Sequence, residues 1–339
     1  MIIRSKAPLR LGLAGGGTDV APFSDIYGGA ILNATISMYA YAAIRPLNNG
    51  KIILNSPDKG EFYELEAKEQ LEIDGKLDLH KGIYNRVVKE FSGKPLSFEL
   101  TTWVDAPPGS GLGTSSTLVV AILGAFTQWL GLPLGDYDLA HLAFEIERTD
   151  LGMAGGKQDQ YAATFGGVNF MEFMKEKVIV NPLRIRENYL DELANNLVLY
   201  HTETSRLSSR IIEQQQKNVA AKNEKSIEAM LKLKEQSVMM KEALLKGQLD
   251  TIGEILAFGW EHKKKMANGI SNPLLDQLYE TAIRHGATGG KVSGAGGGGF
   301  MFFYCPGNTR HDVIRALTAF GGQAKRYEFT IKGLTTWCY

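Results

Sequence analysis

The chain has 339 residues, which is long enough for two domains with sizeable cores, and its 37 basic side chains balance 37 acidic ones. Because the net charge is zero and no long run of Lys or Arg occurs, we expect neither a nucleic-acid partner nor a membrane partner. Two cysteines cannot form a disulfide framework, and six histidines without a His-x-x-x-His pair argue against a zinc enzyme.

The first half of the chain is predicted to begin with strands and to end in mixed structure. Residues 1–6 lead straight into a strand-like segment and show no signal peptide, and no apolar stretch reaches the roughly 20 residues that span a membrane. A cytoplasmic protein is therefore expected. Strands are predicted at 31–47, 51–55, 61–65, 96–104 and 165–171, and helices at 79–91, after residue 116 and at 137–149.

The second half is predicted to be mainly helical. A strand at 196–200 precedes a bundle of about three helices over residues 205–267, with breaks near Asn223 and Gly247. A helix at 273–285, a strand around Phe300, a helix at 309–320 and a final strand complete the pattern. We place a domain boundary near residue 185, which gives domains 1–185 and 186–339.

The most informative segment is the glycine-rich run at residues 107–116. Gly109, Gly111 and Gly113 alternate with other residues, three hydroxyl side chains follow, and an apolar helix comes next. A glycine loop that opens a helix directs free amides and the positive helix end at an anion such as a phosphate. Taken alone, the segment is equally well explained as a helix N-cap behind a glycine-rich turn.

Two further glycine clusters favour the phosphate interpretation. They lie at residues 7–19 and 289–300, and each adjoins an apolar segment. Glycine is favoured where the backbone approaches a ligand closely, so three such clusters suggest one large polyanion, for which ATP is the obvious candidate. No Gly-Lys pair is followed by Ser or Thr, and the G-x-G-x-x-G match at 294–299 leads into a strand, which excludes the Walker and dinucleotide motifs.

Together, the three glycine motifs in this order resemble the GHMP kinase superfamily. The Ala14–Asp19 segment resembles the sugar-kinase branch, and with residues 27–30 and 200–206 it is most similar to the heptose 7-phosphate kinases; the fucokinases have a related segment. The resemblance implies an α+β fold, with an N-terminal domain like ribosomal protein S5 domain 2 and a ferredoxin-like C-terminal domain. It also implies ATP and Mg²⁺ as cofactors and an active site between the domains.

Asp159 and Arg10 are the candidate catalytic residues. Phosphoryl transfer to an alcohol needs a group that orients the hydroxyl or takes its proton, and Asp159 lies in a loop-like segment after a helix. Arg10 lies between apolar residues, where a cation needs a partner. A purely structural ion pair, for example with Asp159, is the alternative. The resemblance favours an Arg10 that supports the charged form of Asp159 or faces the transferring phosphoryl group.

The remaining candidates bind ligands. By motif position, the resemblance assigns the magnesium site to Ser115 and Glu147; Glu145 lies on another helical face, so only one of the two glutamates should point inward. The residues expected to bind the nucleotide are Pro108, Gly109, Ser110, Gly111, Leu112, Gly113, Thr114, Ser115 and Ser116. The residues expected to bind the substrate are Gly16, Gly17, Thr18, Asp19, Lys157, Thr202, Ser205, Arg206, Gly296 and Gly297.

The resemblance thus implies an ATP-dependent sugar kinase that phosphorylates the anomeric hydroxyl of D-glycero-D-manno-heptose 7-phosphate to the 1,7-bisphosphate, for nucleotide-activated heptose synthesis. A fucokinase- or galactokinase-like sugar 1-kinase is the first alternative. A catalytically silent sensor of sugar and ATP is the second. The expected partners are a small sugar phosphate and ATP, and the expected oligomeric state is a monomer or a homodimer.

Overall fold

The computed structural model describes residues 1–204 and 208–339, which contain twelve strands and eleven α-helices. The strands are β1 (Ile3–Ala14), β2 (Gly29–Pro46), β3 (Lys51–Ser56), β4 (Glu61–Glu66), β5 (Phe98–Val104), β6 (Val168–Phe173), β7 (Val178–Pro182), β8 (Leu197–His201), β9 (Gly289–Val292), β10 (Phe300–Tyr304), β11 (Gln323–Lys325) and β12 (Thr335–Cys338). The helices are α1 (Phe23–Tyr27), α2 (Asp78–Val87), α3 (Thr114–Leu130), α4 (Asp136–Glu145), α5 (Gln158–Phe165), α6 (Glu187–Asn196), α7 (Ser208–Ala220), α8 (Glu224–Lys246), α9 (Ile252–Lys263), α10 (Pro273–Arg284) and α11 (Arg310–Thr318).

The described strands form two sheets. The first has eight strands in the order β12-β1-β2-β5-β3-β4, with β6 pairing with β2 and β7 with β6. All of its pairs are antiparallel except β3 with β5. The second is a four-stranded antiparallel sheet in the order β11-β8-β10-β9. These sheets and their helices confirm the predicted α+β class.

Helix α3 is the central helix of the first half of the molecule. Residues from Ser116 to Phe126 are all buried, as the continuous apolar sequence predicts. They pack with the inner faces of the first sheet and with α2 and α4 in one apolar cluster. Because α3 is buried along most of its length, its N-terminus is held in place, and this end is the one that the glycine-rich loop precedes.

The second half follows the predicted pattern closely. The three helices α7, α8 and α9 are separated near Asn223 and Gly247, as expected, and Asn223 caps α8 by accepting from the Ser226 N–H. Their apolar side chains pack with α10, α11 and one face of the second sheet. Strand β9 was not predicted, because its four residues begin with two glycines and carry little strand propensity.

A separate apolar cluster joins the two halves. It combines side chains of β1 with those of β8, β10, α8 and α9, so the two sheets share buried surface. The chain also returns to the first sheet after the second is complete, since β12 pairs with β1 from Ile3 to Lys6. The predicted second domain, 186–339, therefore includes a strand that belongs to the first sheet.

Two local differences from the predicted elements concern helix ends. Helices α2 and α4 continue into π-helical turns at Val88–Ser92 and Ile146–Asp150. Asp159 lies in the first turn of α5 and not in a loop, because the helix begins at Gln158 immediately after the flexible-looking glycine segment. Over the described ranges, the structure contains no helix that is both long and apolar enough to traverse a bilayer.

Candidate active site

A cleft lies between the two halves of the molecule. Its walls come from β1, the turn after β1, the glycine-rich loop before α3, the segment leading into α5, and the second half's α7, α9 and 294–295 loop. The three glycine motifs, which are far apart in sequence, thus meet at one cleft, where they predict a ligand.

The glycine-rich loop before α3 forms one wall of this cleft. Gly109, Gly111 and Gly113 have φ values of 73°, 80° and 80°, in the left-handed region that favours glycine. Gly113 is the N-cap of α3, so the loop presents the open N-terminus of a buried helix to the cleft. A Cβ on Gly111 would lie 2.4 Å from the Ser293 carbonyl oxygen, which shows how tightly the loop packs against the second half.

Not every residue of the predicted nucleotide segment faces the cleft. Lining residues are Gly109, Gly111, Gly113, Thr114, Ser115 and Ser116. Pro108 is exposed and outside the lining, and Leu112 is fully buried in the apolar cluster between the halves. Ser110 is also buried, and its carbonyl accepts a hydrogen bond from the Phe300 N–H. Glycines that face the cleft therefore alternate with buried residues that anchor the loop to the protein.

Arg10 and Asp159 form an ion pair at the floor of the cleft. Arg10 Nε and Nη2 lie 2.7 and 2.6 Å from Asp159 Oδ1, and the arginine side chain is only 4% exposed. Arg10 Nη1 donates to the Gly111 carbonyl oxygen at 2.6 Å. A Cβ on Gly113 would come within 3.0 Å of Asp159 Cγ, so the carboxylate lies directly against the glycine-rich loop. One arginine thus ties the aspartate and the loop together.

A second polar cluster surrounds Glu147. Its carboxylate is fully buried; Oε1 accepts from Ser115 Oγ at 3.2 Å and Oε2 from Gln160 Nε2 at 2.5 Å. Arg148 Nη1 lies 3.7 Å from Glu147 Oε1. Glu145 points away and pairs with Arg86 at 3.1 Å, so only Glu147 lines the cleft. Among the described residues, no group of three or more His, Cys, Asp or Glu side chains could hold a metal alone.

Asp19 also lines the cleft. It is almost fully buried, and its Oδ2 accepts from the Gln158 N–H at 3.0 Å, which caps α5 from a distant part of the chain. Burial raises the pKa of Asp19; the hydrogen bond from Gln158 opposes that shift, and the negative charge of Asp159 adds to it. A Cβ on Gly156 would overlap Asp19 Oδ2, so only glycine fits beside this carboxylate.

The Thr18 side chain helps to hold the turn that carries Asp19. Thr18 Oγ1 donates to the Gly15 carbonyl and accepts from the Ala30 N–H at 3.0 Å, which ties the turn to β2. Gly17 has a φ of 102° and lines the cleft, whereas Gly16 and Thr18 are not among the lining residues.

Other predicted substrate residues lie away from the cleft lining. Lys157 donates to the carbonyls of Met174 and Lys175 and lines an adjacent depression together with Asp19. Thr202 is buried and donates to the Gly299 carbonyl at 2.8 Å.

Gly296 and Gly297 pack against Ile270, with the Gly297 N–H donating to the Ile270 carbonyl. Their backbone is therefore committed to the second half's own structure. Ser205 and Arg206 lie outside the described residues.

Sequence reasoning missed three basic side chains at or near the cleft. Arg148 and Lys263 line it, and Lys291 is buried behind the glycine turn, donating to the Gly12 carbonyl. Lys263 opens a run of three lysines, of which Lys264 and Lys265 are exposed, so the run reads as a solvated helix end. The available signal was the helical spacing, which places Lys263 on the same buried face as Gly259 and Trp260.

Comparisons with known families agree with this geometry. Residues 78–167 match the GHMP kinases N terminal domain, and residues 240–323 match the GHMP kinases C terminal family. The first match contains the glycine-rich loop, Glu147 and Asp159, and the second contains Lys263 and the C-terminal glycine motif.

The chain is also similar to individual proteins over nearly its whole length. It is 51% identical to the D-glycero-alpha-D-manno-heptose 7-phosphate kinase of Campylobacter jejuni, covering 99% of this chain and 98% of that protein. A crystal structure of a D-glycero-D-manno-heptose 1-phosphate kinase from Bacteroides thetaiotaomicron superposes with a TM-score of 0.85 at 47% identity, covering 99% of each chain. Lactococcus lactis galactokinase, in complex with galactose, has the same fold, with a TM-score of 0.77 at 21% identity over 98% and 95% of the two chains.

Proposed function

Because this chain belongs to the GHMP kinases, we propose that it transfers the γ-phosphoryl group of ATP to the anomeric 1-hydroxyl of D-glycero-D-manno-heptose 7-phosphate. The product is the 1,7-bisphosphate, which would supply nucleotide-activated heptose synthesis. The heptose assignment is supported by the relative from Campylobacter jejuni. The observation that carries the chemistry is the Arg10–Asp159 pair lying directly against the glycine-rich loop.

The glycine-rich loop and the N-terminus of α3 bind the phosphates of ATP. The left-handed glycines leave backbone amides free to donate to phosphate oxygens, and the positive end of α3 favours the negative charge. No side chain other than those of Thr114, Ser115 and Ser116 projects from the lining part of this loop, so phosphate oxygens can approach the backbone closely.

Ser115 and Glu147 fit a magnesium ion that ATP brings with it. Magnesium prefers oxygen ligands and takes few from the protein, with phosphates and water completing the shell. The Ser115 hydroxyl and the buried Glu147 carboxylate, 3.2 Å apart at the start of α3, are such a pair of oxygen donors. The ion would neutralise charge on the β- and γ-phosphates. Gln160 keeps the second carboxylate oxygen occupied, which fixes the orientation of Glu147.

Asp159 orients the acceptor hydroxyl and takes its proton. As the hydroxyl oxygen bonds to the γ-phosphorus, the bond from that phosphorus to the bridging oxygen breaks, ADP leaves, and the proton passes to the carboxylate. Arg10 holds Asp159 through Oδ1, which leaves Oδ2 available to the hydroxyl. Its position beside the Gly111 carbonyl also lets Arg10 offset charge on the transferring phosphoryl group.

Asp19 recognises sugar hydroxyls in the same cleft. One of its oxygens is used by the Gln158 N–H, and the carboxylate retains acceptor capacity for a sugar hydroxyl. The distal phosphate of the sugar is expected at Ser205, Arg206, Thr202 and Lys157; that pocket, a cytoplasmic location and a monomeric or homodimeric state stay predictions. In the described part of this pocket, Lys157 lines the depression that adjoins the cleft beside Asp19.

A substrate panel tests the proposal. ADP release is measured with heptose 7-phosphate, unphosphorylated heptose, fucose and galactose, and NMR of the product identifies the phosphorylated position. We expect the highest kcat/KM with heptose 7-phosphate and a phosphate on carbon 1. Equal rates with free fucose or galactose would contradict the heptose assignment in favour of a general sugar 1-kinase. Binding of both ligands without ADP formation would indicate a silent sensor.

The distal phosphate provides a sharper arm of the same panel. A charge-assisted contact contributes about 1.5–3 kcal/mol, so Arg206→Ala should reduce the preference for phosphorylated over unphosphorylated heptose by roughly tenfold or more. The matched control is Arg210→Ala, at an exposed residue of α7 four positions further on. It should leave the preference for the phosphorylated sugar unchanged. An unchanged preference in Arg206→Ala would relocate the phosphate pocket but leave the substrate assignment intact.

A further inference from the structure

Four side chains of the second half hold the backbone from Gly12, near the end of β1, to Gly17, in the turn that leads to Asp19. They are two lysines and two glutamines, and each contacts a different peptide group. The contacts join Lys291 Nζ to Gly12 O (2.6 Å), Gln236 Oε1 to Gly15 N (3.1 Å), Lys263 Nζ to Gly16 O (3.2 Å) and Gln215 Nε2 to Gly17 O (2.7 Å). The turn is therefore positioned by the second half of the molecule as much as by its own strand.

The two lysines are alike in burial but differ in what they face. Lys263 and Lys291 are 2% and 3% exposed. Within the described residues, neither ammonium group has a carboxylate within 4.0 Å, and each donates to one peptide carbonyl. Only Lys263 lines the cleft. A Cβ on Gly16 would lie 3.6 Å from Lys263 Nζ and 3.9 Å from Lys291 Nζ, so both ammonium groups approach the same point of the turn from the second half.

Lys263 is a poor structural clamp for a single carbonyl. An ammonium group has three donors, of which one carbonyl uses one. The Gln215 amide donates to the Gly17 carbonyl in the same way without a buried charge. The charges that face Lys263 are Asp19, which favours its protonated form, and Arg10, which opposes it. The protonated form of Lys291 is opposed by the positive charges of Lys263 and Arg10. Burial is the largest influence and lowers the pKa of Lys263 to about 8. A cation that is buried despite the free-energy cost of desolvation, and that faces a cleft, is typical of a ligand-binding group.

We propose that Lys263 is a specificity-determining residue that donates from the second half of the molecule to an oxygen of the acceptor sugar beside Asp19. The inference rests on the proposed function and names a recognition group within that site. Asp19 accepts and Lys263 donates, so together they match two neighbouring sugar oxygens, one of which donates and one of which accepts. The sugar thereby bridges the two halves, because Asp19 follows β1 and Lys263 ends α9.

Lys291 supplies a matched control. It has the same side chain and nearly the same burial, and it also donates to one backbone carbonyl, that of Gly12 in β1, but it does not line the cleft. If both lysines only hold the backbone before Asp19, Lys263→Met and Lys291→Met should affect the enzyme alike. If Lys263 contacts the sugar, only its replacement should weaken acceptor binding.

The experiment compares KM and kcat of the wild type, Lys263→Met, Lys263→Gln and Lys291→Met for heptose 7-phosphate at saturating ATP, and then KM for ATP. We expect Lys263→Met to raise the acceptor KM by about tenfold to a hundredfold, the range of a charge-assisted hydrogen bond, and to leave the ATP KM within twofold. Lys263→Gln, which keeps a donor, should raise the acceptor KM less. Lys291→Met should leave the acceptor KM within twofold.

Two results would overturn the inference. One is an acceptor KM within twofold of wild type in folded Lys263→Met, with folding checked by thermal denaturation. The other is an equal rise in Lys291→Met, which would make both lysines structural. A wild-type enzyme that is inactive on heptose phosphates would refute the proposed function itself, and with it the acceptor named here.

Discussion

Replacing Asp159 with asparagine removes one negative charge at the floor of the cleft and keeps the side-chain shape. Asp159 Oδ1 receives both Arg10 contacts, at 2.7 and 2.6 Å, and an asparagine oxygen can accept the same two hydrogen bonds without the charge. The aspartate is 22% exposed, so the loss of a charge-assisted bond is partly screened, and we expect a stability decrease of about 1 kcal/mol.

The effect on turnover should be much larger. An amide cannot take the acceptor's proton, and general-base catalysis contributes about 10²-fold or more, which is about 2.7 kcal/mol of barrier. The assay is coupled ADP release at saturating substrates, with ATP affinity measured separately by calorimetry. We expect kcat to fall by at least about 10²-fold while the dissociation constant for ATP stays near the wild-type value.

Asp150 offers a control of the same chemistry outside the cleft. It forms a two-point pair with Arg86, at 2.7 and 2.8 Å, and is 32% exposed. Asp150→Asn should therefore lower stability by a similar amount and leave kcat within about twofold. The reasoning is refuted if Asp159→Asn keeps more than half of the wild-type kcat, or if Asp150→Asn loses as much turnover as Asp159→Asn.

Three further predictions concern the loop, the metal ligands and pH. Glu147→Gln should raise the Mg²⁺ concentration for half-maximal activity by about tenfold, and an unchanged magnesium titration would remove Glu147 from the metal site. Gly111→Ala should weaken ATP binding, because its Cβ would meet Ser293 O at 2.4 Å. Gly50 has a φ of 71° and open space around it, so Gly50→Ala should lower stability and leave ATP binding unchanged. Equal ATP affinity in the two variants would contradict this. Below pH 8, charged Lys263 destabilises the fold by about 3 kcal/mol, since the unfolded chain keeps its proton up to a pKa of 10.5 and the folded chain loses it at about 8. Lys263→Met should therefore be more stable than wild type at pH 7, with a Tm advantage that shrinks between pH 8 and 10; a constant difference would show that burial does not lower the pKa of Lys263.

Local sequence patterns were sufficient for much of the fold and for part of the site. The apolar run after Ser116 predicts a buried helix because every face of it must contact the core. Alternating glycines before that helix predict a backbone that can fold around an anion, and all three have the positive φ angles that favour glycine. The helix breaks near Asn223 and Gly247 follow from capping chemistry, which acts within a few residues.

What the sequence could not supply are contacts between distant segments. Nothing near Lys263 in the chain indicates that its ammonium meets Gly16, because 247 residues separate them and the neighbouring lysines are exposed. The same is true of Gly156, whose missing Cβ makes room for Asp19. Such contacts depend on how the two halves pack together, and the sequence around these residues has no periodic pattern that predicts this packing.

The return of the chain to the first sheet has a consequence for biosynthesis. Strand β1 needs β12 to complete its outer edge from Ile3 to Lys6, and more than 300 residues must be translated between them. At about 5–20 residues per second, that edge waits for tens of seconds with its amide and carbonyl groups unpaired. Unpaired strand edges recruit other chains, so the nascent protein should be most prone to aggregation until β12 emerges. Leu334, which packs over Gly124 of α3 just before β12, would then be the residue that seats the late strand and ends this exposure.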